Sequence, residues 1–366
     1  MHYRQNFIGI FFIITLMFFS LNAFSNEKND KKGHGEENKF QPGSFILHHI
    51  LDAHEWHIGK FGEQEVSIPL PVILFTEKNG LVFFMSNKFE GEGHGPKQYG
   101  DYLLEEGKIK AKDGSAVYDF SITKNVVALL FSFALILWVF ISVARSYTRR
   151  QGKAPKGLQS LLEPLILFVR DDVAKASIGE KKYEKYMPYL LTIFFFIFIN
   201  NLLGLIPIFP GGANLTGNIA VTMVLALFTF IITTFSGNKG YWKHIINAPG
   251  VPWWLKFPLP LMPIVEIIGV FTKPFVLMVR LFANITAGHI IALGFFSLIF
   301  IFGEMGAAGG FGISPLSVGF ALFMSVLELL VAFIQAYVFT LLSALYFGMA
   351  TEEHHSEAHA AHGKAH

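Results

Sequence analysis

Residues 273–293 read KPFVLMVRLFANITAGHIIAL and residues 327–347 read LELLVAFIQAYVFTLLSALYF. From Pro274 to Gly303 the sole formal charge is Arg280, and between Met305 and Thr351 it is Glu328. The apolar stretches around them run from about Pro263 to Gly303 and from about Ser314 to Ala350, with a Gly-rich loop free of Lys and Arg between them. Each is roughly 55 to 60 Å long as a helix, about twice the hydrocarbon thickness. Splitting either one would put that loop or the C-terminus on an inconsistent side. We therefore expect two single helices tilted by roughly 60°, beyond the usual 0 to 40°, a geometry that makes sense against another large, curved protein.

The chain as a whole leans the same way. Of 366 residues, 52% are hydrophobic and 15% charged, a balance that points to a membrane protein. A net charge of +2 gives no polyanion-binding character, so nucleic acid is not an expected partner. The absence of cysteine removes disulfides, thiol nucleophiles and thiolate metal sites.

Residues 1–25 carry Arg4, an apolar run from Phe7 to Phe19 and the small-residue pattern Ala23-Phe24-Ser25, as a secretory signal does; an uncleaved first anchor is the other reading. Residues 26–122 would then be exported. They begin with the polar NEKNDKKGHGEENK, and VSIPLPVILF and LVFFMS flank Asn79-Gly80, a hairpin signal that predicts a small β-containing region.

From Val126 to Ala144 an uncharged run is long enough to span, and Arg145, Arg149, Arg150, Lys153 and Lys156 mark its end as cytoplasmic. Apolar positions Leu158, Leu161, Leu162, Leu165, Ile166 and Val169 predict an amphipathic helix on the cytoplasmic surface. Two spans follow, about Met187 to Ile208 and Asn218 to Phe235, joined by the charge-free FPGGANLTG. The next connection restores Lys239, Lys243 and Lys256 with Trp242, Trp253 and Trp254, and is again cytoplasmic. The expected fold is an all-α polytopic membrane protein with five membrane-crossing helices, one amphipathic surface helix and a small β-containing exported region. Residues 123–350 form its membrane domain, and residues 351–366 a His-rich tail.

An arginine near mid-membrane costs about 2.5 to 3.5 kcal/mol on insertion scales, so it is seldom there without use. Apolar sequence on both sides of Arg280 argues against snorkelling. No carboxylate stands within a helical turn, which puts its partner on another helix or another chain. Asn284, Ala287 and Gly288 fall close to the Arg280 face, leaving it small and polar, whereas His289 lies about 180° away. In the last helix Ser325, Glu328, Ala332 and Gln335 make a polar stripe. A histidine and a carboxylate within apolar helices are the parts of a proton relay, or else a structural hydrogen bond.

Those two runs, together with NNLLGLIP at 200–207 and TGNIAVT at 216–222, closely resemble subunit a of the F-type ATP synthase, over roughly residues 120 to 350. Glu266 and Lys273, at seven-residue steps before Arg280, match the family as well. The resemblance implies a non-catalytic, multi-pass inner-membrane subunit with no cofactor, whose partners are the ring of c subunits, the stator subunit b, protons and lipid. It implies that Arg280 is the stator arginine facing the ring carboxylate and that Gln335 is its neighbour across the helix pair. His289 and Glu328 occupy coupled half-channel positions, in swapped order relative to many bacterial members, a swap that mitochondrial members also resemble. Glu266 and Lys273 would lie toward the cytoplasmic half-channel, and Asn201 and Asn218 toward the outer one, with Asn284 beside the arginine.

The chief alternative is a secondary ion or metal transporter, whose related halves we do not find; an anchor for the exported region would need neither Arg280 nor Glu328. Histidines at His48, His49, His54 and His57, and five in HHSEAHAAHGKAH, lack a fixed zinc spacing. No GxxxxGK[ST] motif is present, so ATP would be handled elsewhere in the assembly. H⁺ is the expected ion.

Overall fold

The computed structural model describes residues 50–61, 64–89, 97–105, 107–206, 211–246 and 261–352, with single positions at 42, 43 and 46. The expected signal segment, His48, His49, Trp253, Trp254, Lys256 and the His-rich tail lie outside the described residues.

Eight short strands precede the helices: β1 Glu55–Phe61, β2 Gln64–Pro69, β3 Pro71–Thr76, β4 Gly80–Met85, β5 Lys97–Tyr99, β6 Tyr102–Glu105, β7 Lys108–Ala111 and β8 Val117–Asp119. They form three antiparallel sheets, β1-β2, β4-β3-β8 and β5-β6-β7. The expected hairpin is present, with Thr76 paired to Gly80 around Glu77-Lys78-Asn79. Gly80 sits at φ 64, where a Cβ is disfavoured. VSIPLPVILF divides at Leu70 into β2 and β3. Alternation in β3 and β4 turns Val72, Leu74 and Phe84 inward against Phe89, Tyr102 and Ile109.

Among the described residues the longer helices that follow are α1 Lys124–Arg149, α2 Leu158–Phe168, α3 Tyr183–Leu205, α4 Ile219–Ser236, α5 Lys239–Ile246, α6 Leu261–Glu304 and α7 Ala307–Thr351. Five of them, α1, α3, α4, α6 and α7, are long and apolar enough to cross a membrane, making this a multi-pass membrane protein. With 44 and 45 residues, α6 and α7 run unbroken for roughly 66 Å each at 1.5 Å per residue. Pro274 and Pro315 are accommodated within them.

The segment expected as a Gly-rich loop is helical instead, because α7 begins at Ala307 and only a tight turn at Met305-Gly306 separates it from α6. The glycines permit close packing: a Cβ on Gly310 would stand 3.1 Å from the Cα of Gly303, and one on Gly309 would stand 2.7 Å from the carbonyl oxygen of Phe302. Helix α2 continues through a π-helical stretch, Val169–Lys175, into Ala176–Ile178. Its second half keeps the expected amphipathic pattern, with Val169, Val173 and Ala174 fully buried in the same core as Phe194, Phe195 and Phe347 while Asp171 and Asp172 are exposed. Gly348 lets α7 pass against the Ser177 carbonyl, where a Cβ would collide.

The ends of the helices are tied deliberately. The first N–H groups of α1 are satisfied from the strand region, Lys124 donating to the Ala53 carbonyl at 2.9 Å and Asn125 to the Asp52 carboxylate at 3.0 Å. Trp56 packs on Ala128 of α1 and on Ala213 of the α3–α4 connection, seating the strand region against the helices. At the far end of α7, Lys182 donates to the Thr351 carbonyl and Asn238 to those of Ala350 and Glu352. Beyond α1, Arg149, Arg150, Lys153 and Lys156 line one basic cleft.

Candidate functional site

Helix α6 has two faces of opposite character. Leu277, Leu281 and Ile285, at four-residue spacing, are buried in the core against α3 and α7. Arg280 is exposed on the other side, with Val276, Ala283, Asn284, Ala287 and Ile291 exposed around it. Among the described residues the guanidinium has neither a hydrogen bond nor an ion pair. The carboxylate expected on another helix or another chain is thus not supplied by the described helices.

His289 points away from that open face, as the helical offset requires. Its Nδ1 lies 3.4 Å from Oε1 of Glu328 on α7, and both side chains are largely buried. Gly288 makes the meeting possible, because a Cβ there would stand 2.7 Å from the Glu328 carboxylate oxygen. Gly288 is therefore a notch for Glu328 and not part of the open Arg280 face, correcting the expectation from helical spacing. The carboxylate enters from the flank between the two faces. Gly204, at the end of α3, brings its backbone beside His289 Nε2 and the Ala213 carbonyl.

This end of the bundle holds further polar groups. Thr216 donates to Oδ1 of buried Asn201 at 2.5 Å, while Asn201 Nδ2 donates to the Ala332 carbonyl at 3.3 Å. Thr286 donates to the Gly217 carbonyl. Asn218 caps α4, accepting from the Ala220 N–H at 2.9 Å. On α7, Ala332 and Gln335 are buried, whereas Ser325 is exposed and bonds back to the Ala321 carbonyl. No hydrogen bond joins Gln335 to Arg280 in this structure.

A second polar group lies on the opposite side of Arg280 along α6. Lys273 stacks its ammonium over the Tyr346 ring at 5.5 Å, and a cleft there is lined by Thr229, Thr233, Thr234, Tyr241, Lys273 and Tyr346. Burial pushes the Tyr241 phenol above its ordinary pKa, and the nearby Glu266 carboxylate adds to the rise. Deeper in, Tyr189 and Thr229 share a 2.8 Å hydrogen bond, and Thr229 meets Ser343 at 3.3 Å. Seven residues separate Lys273 from Arg280 and nine separate Arg280 from His289, roughly 10 and 14 Å of helix. Sequence reading singled out none of Thr216, Gly204, Tyr241 and Tyr346, although all but Tyr241 lie within the runs that carry the resemblance; what places them at the site is spatial.

The family described as ATP synthase A chain matches residues 126–348. The chain belongs to the ATP synthase subunit a family. It is 41% identical over 329 residues to ATP synthase subunit a 2 of Chlorobaculum tepidum, a match covering 88% of this chain and 76% of that protein. ATP synthase subunit a of Chloroherpeton thalassium is 47% identical over 250 residues, 66% of this chain and 71% of the relative. That of Myxococcus xanthus is 45% identical over 249 residues, 66% and 77%. Residues 45–128, ahead of the subunit a match and just overlapping it, match a domain of unknown function.

Among the described residues no three histidine or acidic groups cluster as a metal site. His54 is committed elsewhere, its Nε2 lying 2.9 Å from Asp119.

Proposed function

We propose that this chain is the stationary proton-carrying subunit of an F-type ATP synthase, presenting two offset half-channels to a rotating ring of c subunits. The observation that carries the reading is Arg280, exposed on an apolar helix face, unpaired among the described residues, with one polar cluster on either side of it along α6.

A fixed guanidinium attracts a passing carboxylate by about 4 kcal/mol at 4 Å and an effective dielectric of 20. That exceeds the roughly 2.5 to 3.5 kcal/mol cost of placing the arginine at membrane depth, so a mobile acid on another polypeptide compensates it. The same attraction makes each ring carboxylate release its proton before it passes, and it blocks a direct leak between the clusters. His289 and Glu328 would pass protons in the outer half-channel, with Asn201 and Asn218 nearby and Asn284 beside the arginine. Glu266 and Lys273 would serve the cytoplasmic half. Gln335 would steady the helix pair behind Arg280.

The basic end of α1 supports a cytoplasmic placement there. The N-terminal region from Asn26 would then be exported after removal of residues 1–25, with residues 351–366 on the cytoplasmic side. Stator subunit b would complete the fixed part of the assembly. The test is proton-driven ATP synthesis in vesicles carrying the complex with Arg280→Ala. Synthesis is expected to vanish while the complex still assembles, and near-normal coupling would defeat the mechanism.

A further inference from the structure

Lys124 is placed against two physical preferences at once. It is the first residue of α1, where the helix dipole disfavours a cation, and it is only 8% exposed, although an ammonium is rarely buried without use. Thr123 supplies no side-chain cap to the helix. The strand region closes this end instead. The Asp52 carboxylate accepts from the Ala53 and Asn125 N–H groups at 3.0 Å each, and the Ala53 carbonyl accepts from the Lys124 N–H. Lys124 and Asp52 also act on each other through their charges. Both fall within residues 45–128, the part of the chain that matches a domain of unknown function.

This pair stands at the His289 end of the bundle. One turn after Lys124, Ala128 packs with Trp56 against Ala213. The Ala213 carbonyl and His289 Nε2 both lie against Gly204, 3.5 and 3.8 Å from where its Cβ would be. The imidazole therefore has two sides: Nδ1 reaches Glu328, whereas Nε2 meets the α3–α4 connection on which α1 is seated. The charge of Lys124 acts on this ring. Little else competes with it. Residues 186–238, which include most of α3, the connection and all of α4, hold no Asp, Glu, Lys, Arg or His. On α6 the nearest charge is Arg280, on the opposite face, and on α7 the one charge is Glu328. On the strand side, next to Asp52 and Ala53, His54 and Asp119 are bound to each other.

We infer that Lys124, set by Asp52, is a positioning residue of the outer half-channel whose fixed charge drives protons from His289 on to Glu328, so that the domain of unknown function completes the proton path. This rests on the reading of His289 and Glu328 as the outer relay. A proton taken up by the ring makes an imidazolium, and its Nδ1–H then protonates the Glu328 carboxylate, leaving neutral imidazole and a carboxylic acid. Beside a second cation the imidazolium is short-lived, so the ring hands its proton on instead of storing it.

The test uses the intact complex in vesicles with its outer side facing the lumen, energised by a fixed potassium diffusion potential. Initial ATP synthesis is followed against lumen pH at constant external pH. Lys124→Met is expected to move the midpoint of that dependence up by roughly one unit, the effect of one charge at about 10 Å and an effective dielectric of 20. Asp52→Asn keeps an oxygen for the two N–H groups but leaves Lys124 uncompensated, and is expected to move the midpoint down. Lys124→Arg should keep the parental midpoint. A purely structural role would not give shifts of opposite sign. An unmoved midpoint in Lys124→Met, a shift of the same sign in Asp52→Asn, or a displaced midpoint in Lys124→Arg would overturn the inference. Should Lys124→Met not assemble, the sign of the Asp52→Asn shift decides alone. Arg280→Ala separates this result from the underlying reading: synthesis that persists there removes the relay itself, whereas its loss there with an unmoved midpoint in Lys124→Met removes only the part given to Lys124.

Discussion

Two histidine–carboxylate pairs in this chain look alike and are built for opposite ends. His54 and Asp119 stand 2.9 Å apart in the strand region, where Asp119 also accepts from the Ser121 N–H at 2.8 Å. Burial alone would raise the Asp119 pKa, but the His54 and Ser121 hydrogen bonds outweigh it and hold the carboxylate below its ordinary value. Both oxygens of that acid have a partner. His289 and Glu328 are 3.4 Å apart between two membrane helices, and among the described residues neither has a hydrogen-bond partner besides this contact. A carboxylate held from several sides is a strut. One that meets a single imidazole across a glycine notch keeps the freedom to take and give a proton.

The comparison is most exposed to Glu328→Gln, which keeps the size and removes the ionisation. Proton-driven ATP synthesis in vesicles should fall at least about tenfold, whereas His54→Ala should leave it unchanged. Equal effects would erase the distinction. The exchange His289→Glu with Glu328→His should restore synthesis to within about threefold of the parent, well above either single change, since contacting residues are not additive. Gly288→Ala is expected to cut synthesis several-fold by pushing Glu328 aside, with the melting temperature of the complex little altered.

Smaller effects belong to the strand region. His54→Ala should destabilise it by about 1 to 3 kcal/mol, because it leaves a half-buried carboxylate short of a partner. Faster hydrogen exchange at β3 and β8 amides would register the loss. The smallest effect is in pH. Asp119 is depressed below its ordinary 3.8, so its contribution is full above that value and is lost as pH falls through the folded pKa. Exchange at β8 should accelerate below about pH 3.8 in the parent, and Asp119→Asn should flatten that dependence.

The five spans were legible because hydrocarbon thickness and the cost of charge act locally along the chain. Lys124–Arg149 and Ile219–Ser236 fall within a few residues of the stretches read from hydropathy. The unbroken length of α6 and α7 followed from the same arithmetic. Composition misled at Ala307 to Ile313, where glycine suggests a loop in water, yet in a membrane domain it marks a close helix crossing. Strands β5 to β8 carry three or four residues each and too little periodicity to be read singly.

By itself the sequence determined that one arginine would stand midway along an apolar helix and that His289 would face away from it, since both follow from composition and a fixed helical period. Only the tertiary structure decided that Glu328 would enter beside Gly288, that Asn201 would bond Thr216 and that no described carboxylate would reach Arg280. Those meetings depend on the register of one helix against another, which is set by how side chains pack in three dimensions and leaves no repeat along the chain.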